Sequence, residues 1–289
     1  MRKSARNFIF TIFGFLLCLN ILAWLIVWDL KKPEILEVNF FDVGQGDAIF
    51  IVSPQSHQIL IDGGPSSAIL EKLSKEMPFW DRSIDLIILT HPESDHLSGL
   101  IEVLKKYKVE NILWTGVIRD TSGYKEWTKS IKDEKAKIKI AQAGQKITSP
   151  GLVMKILFPF ENLEGQEVKD SNNTSIIAKL IYDENSFLFT GDAYKSVERE
   201  LIDKKVGIDS NVLKVGHHGS KTSTSEEFIK EVSPEIAVIQ VGKDNPYGHP
   251  HPETLETLAK YDIKVLRTDK DSDIKILCNP QSLKLKLRE

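Results

Sequence analysis

Thr90–Leu100, THPESDHLSGL, brings His91, Glu93, Asp95 and His96 into six consecutive positions. The run before it, Ile84 to Leu89, is short and mostly apolar, as in a strand buried on both faces. After it, Leu97, Leu100, Ile101 and Leu104 recur at helical spacing. The cluster therefore falls in a strand-to-helix turn, and α/β proteins place their chemistry at the carboxyl ends of strands. Ser94 or Asp95 could simply cap the helix, leaving the histidines exposed. Capping accounts for one side chain; two imidazoles with two carboxylates are the donor set of a divalent metal ion.

Working outward, Ile35–Val43 and Ala48–Val52 read as strands around the Gly44–Asp47 turn, and Gln58–Ile61 as a third that ends in Asp62-Gly63-Gly64. Helices are predicted over residues 67–77, 197–202 and 253–261. Further strands are predicted over 112–114, 153–158, 176–182, 187–189, 212–215, 236–241, 264–267, 274–277 and 283–287. In residues 119–139 lysines alternate with Glu126, Asp133 and Glu134, the pattern of a solvated helix face rather than a nucleic-acid patch. Two more motifs follow apolar strands, Thr190-Gly191-Asp192 and Gly216-His217-His218-Gly219-Ser220, and Tyr247-Gly248-His249-Pro250-His251 precedes a helix. Six of the seven histidines lie in these clusters, so they are not scattered core residues. Strand-rich halves, each with helices, predict an α/β fold of the αββα sandwich type: two mixed sheets face to face, helices outside, in one domain over residues 33–289.

The N-terminus is separate. Phe8–Trp28 is 21 residues without a charge, long enough at about 1.5 Å per residue to cross a hydrocarbon layer of ~30 Å. No small-x-small cleavage site precedes Asp29, so residues 8–28 read as an uncleaved signal anchor with residues 1–7 as a cytoplasmic tail. Arg2, Lys3 and Arg6 before the span, against Lys31 and Lys32 after it, favour a cytoplasmic N-terminus and an extracytoplasmic domain. Residues 33–289 then hold 33 basic and 40 acidic side chains, a net charge of −7. That excludes a domain gripping nucleic acid by general charge; a polyanion must be held by a local patch or by metal. Cys18 and Cys278, one in the span and one near the C-terminus, form no disulfide within a monomer.

The cluster His91-x-Glu93-x-Asp95-His96 resembles the HxHxDH signature of the metallo-β-lactamase fold, and Gly191-Asp192 and His217 match its later ligand motifs in order. Five further stretches are similar to the extracytoplasmic, nuclease-like domain of ComEC-type DNA-internalisation competence proteins. They are Phe41–Asp47, Leu60–Gly64, Ser171–Ser175, Lys214–Lys221 and Asn245–Pro250. The resemblance implies two divalent ions, Zn²⁺ or Mn²⁺ with Mg²⁺ as a further option. Asp95, His96 and His217 would hold one, His91 and Glu93 the other, and Asp192 would bridge them. It implies catalytic roles for Asp95 and His249 and supporting roles for Asp62, Asp42, Asp47, Asn172 and His218, with phosphate contacts from Lys221 and Lys243. Two features depart from the pattern: Glu93 replaces a histidine, and Ser171 or Asn172 stands where another is expected. The implied function is a membrane-anchored, two-metal phosphodiesterase or nuclease acting on extracytoplasmic DNA. The alternatives are a hydrolase of another ester or lactam, such as a phosphorylcholine esterase of cell-wall polymers, and a non-catalytic surface-binding module. With one span, no DNA pore is inferred.

Overall fold

The computed structural model describes residues 2–30, 35–280 and 282–287, and the chain divides into two units, Met1–Glu34 and Ile35–Glu289. The first unit is one helix, α1 (Arg2–Leu30). Its window Arg6–Leu25 has a mean hydropathy of 2.4, long and apolar enough to cross a membrane. Lys31 and Lys32 lie outside the described residues.

In the second unit, the first half runs β1 (Leu36–Phe40), β2 (Ile49–Val52), β3 (Gln58–Ile61), α2 (Ala68–Glu76), β4 (Ser83–Ile88), α3 (Ser94–Leu104), β5 (Lys108–Trp114), α4 (Ser122–Glu134) and β6 (Lys137–Ile140). The second half runs β7 (Lys146–Ser149), β8 (Leu152–Phe158), β9 (Ile177–Tyr182), β10 (Asn185–Phe189), α5 (Lys195–Asp203), β11 (Val212–Lys214), α6 (Glu226–Val232), β12 (Ile236–Ile239), α7 (Pro252–Lys260), β13 (Lys264–Arg267), α8 (Thr268–Asp271), β14 (Ile274–Asn279) and β15 (Ser282–Leu287). One sheet has the order β15-β14-β1-β2-β3-β4-β5-β6, the other β13-β12-β11-β10-β9-β8-β7. Each joins antiparallel strands to a parallel set, β3 to β6 in the first sheet and β10 to β13 in the second.

Strand alternation produces the layers. Phe40, Ile49 and Ile51 face Phe187 and Phe189 between the sheets. Phe50, Leu60 and Ile87 turn outward onto Ile69, Leu73, Leu100 and Trp127 of the helices. Leu188, Leu213 and Ile239 do the same against Val197, Leu201, Phe228 and Leu258. The predicted αββα sandwich of two mixed sheets is the observed architecture. One reading needs correction: residues 119–139 are not a single helical face. The helix stops at Glu134, Lys135 takes a left-handed conformation (φ 61°), and β6 continues as an exposed strand at the end of the sheet. Its lysines suit an exposed sheet edge, where charge discourages pairing with another strand.

Candidate metal centre

The parallel strands of both sheets end at one edge. Asp62 follows β3, Thr90 and His91 follow β4, Asp192 follows β10, and His217 and His218 follow β11. Glycine lets α3 approach this edge. A Cβ on Gly99 would lie 1.8 Å from the Gly63 carbonyl oxygen. In its absence Gly63 N donates to the His96 carbonyl (2.8 Å) and Gly99 N to the Gly64 carbonyl (2.9 Å). The first turn of α3, with Asp95 and His96, is thereby fixed against the Asp62 loop.

Asp95, His96, Asp192 and His218 bring one donor atom each to within 4.8 Å of one another. Asp192 Oδ2 is 3.3 Å from His96 Nε2 and 3.3 Å from His218 Nε2; Asp95 Oδ2 is 3.2 Å from His218 Nε2. His91 Nε2 lies 3.9 Å from Asp192 Oδ2. The second nitrogen of each buried imidazole is held from behind. His96 Nδ1 is 2.8 Å from Asp62 Oδ2, His218 Nδ1 is 2.9 Å from the Gln240 carbonyl, and His91 Nδ1 is 3.0 Å from Thr90 Oγ1. Such backing fixes the ring and presents Nε2 to a ligand. His91 Nε2, His96 Nε2 and Asp192 Oδ1 are buried with no hydrogen-bond partner among the described residues. Orphaned buried donors and acceptors are costly, and a divalent cation would satisfy this set. The residues present therefore fit a metal ion.

The electrostatics are those of a metal-free donor set. Burial opposes protonation of His96, but Asp192, Asp62 and Asp95 outweigh it and hold the imidazole well above its usual range. His218 is likewise held up against burial by Asp192 and Asp47. Burial would raise Asp192, yet His218 and His96 hold it well below the ordinary carboxylate range. Burial, with His96 beside it, pushes His91 down to about 3, so its ring is neutral.

The geometry brings some of the residues named by the resemblance together and holds others apart. His218, not His217, joins the four-residue cluster. His217 Nε2 lies 3.8 Å from Asp192, its Nδ1 meets Thr222 Oγ1 at 3.1 Å, and its ring stacks on Tyr194 at 5.5 Å. Both histidines have positive φ, 47° and 53°, and this consecutive left-handed pair turns the two rings apart. Glu93 is drawn away from the cluster: Arg119 Nη2 lies 2.8 Å from its carboxylate and Ser171 donates to it. Ser171, one of the two residues standing where a histidine was expected, thus binds the substituted glutamate. Asn172 Nδ2 donates to Tyr194 (3.0 Å) and lies 3.4 Å from His217 Nε2. Asp42 sits apart, accepting from Gly44 N at 3.2 Å and bracing the glycine turn. Asp47 is close behind the site, paired with buried Lys214 and 3.3 Å from His218 Nδ1. Lys221 and Lys243 are exposed and line no part of the cleft.

The cleft over the cluster encloses about 360 Å³, and Arg119, Lys169, Tyr247 and His249 lie on its rim. His249 stacks on Tyr247 at 5.7 Å; burial and the neighbouring imidazoles of His217 and His218 push it down to about 4. A larger cavity of about 520 Å³ opens at the other end of the strands, floored by Ile59, Leu86, Ile112 and Ile156, and gathers no such donor set among the described residues. Lys214 and Arg119 were not picked out from sequence. Lys214 sits inside an apolar strand, fully buried, its Nζ 3.1 Å from the Gly191 carbonyl and 3.8 Å from Asp192 Oδ1; a lysine within VLKV was the available signal.

Residues 41–243 match the family model described as Metallo-beta-lactamase superfamily. The chain is 31% identical over 276 residues to ComE operon protein 3 of Bacillus subtilis, covering 89% of this chain and 35% of that protein. It is 29% identical over 233 residues to Competence protein ComA of Neisseria gonorrhoeae, covering 80% of this chain and 31% of that protein. It thus spans about a third of the length of these relatives. The metallo-beta-lactamase fold protein YhfI from Bacillus subtilis superposes with a TM-score of 0.53, over 86% of this chain and 99% of that one, and at 12% identity this likeness shows the fold alone. The family match runs across every strand end that carries a clustered ligand, and on that ground the chain belongs to the metallo-beta-lactamase superfamily, with competence proteins of the ComEC type among its homologues.

Proposed function

We propose that this chain is a membrane-anchored, metal-dependent phosphodiesterase, a nuclease acting on DNA outside the cytoplasm, with residues 8–28 as its anchor. The observation that carries the reading is the convergence of Asp95, His96, Asp192 and His218, with orphaned buried atoms among them, on a cleft open to solvent. Two imidazoles and two carboxylates suit Zn²⁺ or Mn²⁺, and Mg²⁺ less well. When bound, a divalent ion supplies Lewis acidity and acidifies water. A second ion would have His91 and Asp192 to hold it but not Glu93, which is engaged by Arg119, so this position is the weaker one.

The chain's own residues do the positioning. Asp62 and the Gln240 carbonyl orient His96 and His218. His249 is neutral at pH 7 and can donate one N–H to a phosphoryl or leaving oxygen. Lys169 offers local positive charge at the rim, and Tyr247, 66% exposed, offers a face on which a base can stack. The same aromatic rim also favours a second reading, an ester of a quaternary ammonium alcohol held by cation–π contact.

The test incubates the full chain in detergent with Mn²⁺ or Zn²⁺ and labelled single-stranded DNA, beside Asp192→Asn. Metal-dependent cleavage by the native chain alone is the expected result. Intact DNA with cleavage of a phosphorylcholine ester would replace the nuclease reading with the second one. Less than one tightly bound ion and no activity on adding metal would leave a non-catalytic binding module. A reporter fused after Glu289 tests the side of the membrane, and internal activity would sink the extracytoplasmic placement.

A further inference from the structure

The turn between α2 and β4 carries two aromatic side chains that the domain leaves uncovered. Phe79 is 81% and Trp80 73% exposed, whereas Trp114 and Trp127 are buried. The two rings meet edge to face, centroids 4.8 Å apart, and the Asp81 amide closes the turn on the Pro78 carbonyl at 2.9 Å. Adjacent exposed aromatics of this size are unusual on a soluble face and mark a contact surface.

Strand register fixes where the turn lies. Glu37 pairs with Val52, Val52 with Gln58, and Ile59 with Leu86, so β1, β3 and β4 all begin at one end of the sheet. Gln58 Nε2 donates there to Asp81 at 2.7 Å. The metal cluster lies at the opposite end, past Ile61 and Ile88. Arg82, Lys106 and Lys108 are exposed at this same end, the Lys108 amide donating to the Arg82 carbonyl at 2.8 Å. None of the three forms an ion pair among the described residues, in a domain that is otherwise net acidic.

We infer that Phe79 and Trp80 insert into the headgroup region of a lipid bilayer, with Arg82, Lys106 and Lys108 against anionic lipid. The inference rests on the reading of residues 8–28 as a span. Aromatic side chains prefer the membrane–water interface, and a few lysines and arginines strengthen the hold through anionic headgroups.

The test uses the full chain with Cys18→Ser, Cys278 being buried, and a single labelling cysteine at Phe79→Cys, Trp80→Cys or the control Lys243→Cys. Each is reconstituted into phosphatidylcholine–phosphatidylglycerol vesicles and carries an environment-sensitive fluorophore. Blue-shifted emission at 79 or 80, quenched several-fold more by headgroup-nitroxide lipid than at 243, is expected. Water-like emission at 79 and 80 in chains that resist carbonate extraction would overturn this inference alone. Blue-shifted emission without lipid quenching would overturn it too, by assigning the patch to a protein contact. Chains released by carbonate would overturn the span reading itself.

Discussion

His217 and His218 are neighbours with different fates, because two successive left-handed residues (φ 47°, ψ 49°; φ 53°, ψ 24°) rotate their side chains apart. Non-glycine residues seldom take this conformation, and they keep it where the surroundings enforce it. Gly216 and Gly219 flank the pair, and Ser223 Oγ ties the turn down through the Gly216 carbonyl at 2.7 Å. His218→Ala should therefore abolish the rise in Tm on adding Mn²⁺ or Zn²⁺, while His217→Ala should keep most of it. For the native chain at a hundredfold excess over Kd, linkage gives about 2.7 kcal/mol of added stability. Equal loss from both variants, read by differential scanning calorimetry, would return His217 to the ligand set. Protons supply a second prediction. His96 and His218 are held above their usual range without metal, so at pH 7 a ligand must displace protons from Nε2. Binding should release roughly one to two protons, and affinity should climb about tenfold per pH unit for each proton between pH 6 and 8. Titration calorimetry in buffers of different ionisation enthalpy measures this; pH-independent affinity would refute it.

At the scale of elements, α3 is positioned by missing side chains. Its glycine meets the Asp62-Gly63-Gly64 loop backbone to backbone, so Gly99→Ala forces helix and loop apart. The cost should reach about 3 kcal/mol, the upper part of the range for overpacking, and metal affinity should fall with it because Asp95 and His96 ride on the same helix. Urea unfolding checks the first effect, and a loss under about 0.5 kcal/mol would show that the loop yields freely. The elements legible in the sequence are those set off by turn residues, whether central like β3 or at a sheet edge like β13. Gln58–Ile61 and Lys264–Arg267 were placed to the residue, since apolar runs between turn residues allow little else. The edge strands β6 and β7 were missed because KIKI and KITS alternate over only four residues each, and the first continues a lysine-rich run that reads as a helix face; α6 was missed because EEFIKEV is too short to show a period. The candidate site was legible as clustered histidines and acids. The partner of each was not: whether Glu93 faces the cluster or Arg119 is decided by a contact between residues far apart in sequence, as is the pairing of Lys214 with Asp47.

At the scale of the whole molecule, charge decides how DNA could be held. Every core cluster lies within Leu36–Leu285, and residues 33–289 carry a net −7. On the cleft side, a phosphate backbone approaching this surface would be held by Lys169 at the rim and by a divalent cation on the clustered donors. Binding of a hydrolysis-resistant phosphorothioate oligonucleotide to the native chain with metal added should then be weak and only mildly sensitive to salt. With about two phosphates neutralised, the slope of log K against log salt is roughly −1.4, at about −0.7 for each phosphate. Lys169→Ala should reduce that slope by about half, whereas Lys243→Ala, away from the cleft, should leave it unchanged. Fluorescence anisotropy with a labelled oligonucleotide across 50–300 mM salt makes the measurement. A slope steeper than about −4 would mean that six or more phosphates are engaged. Contact on that scale needs a broad basic surface beyond the cleft, and the acidic balance of this domain argues against one.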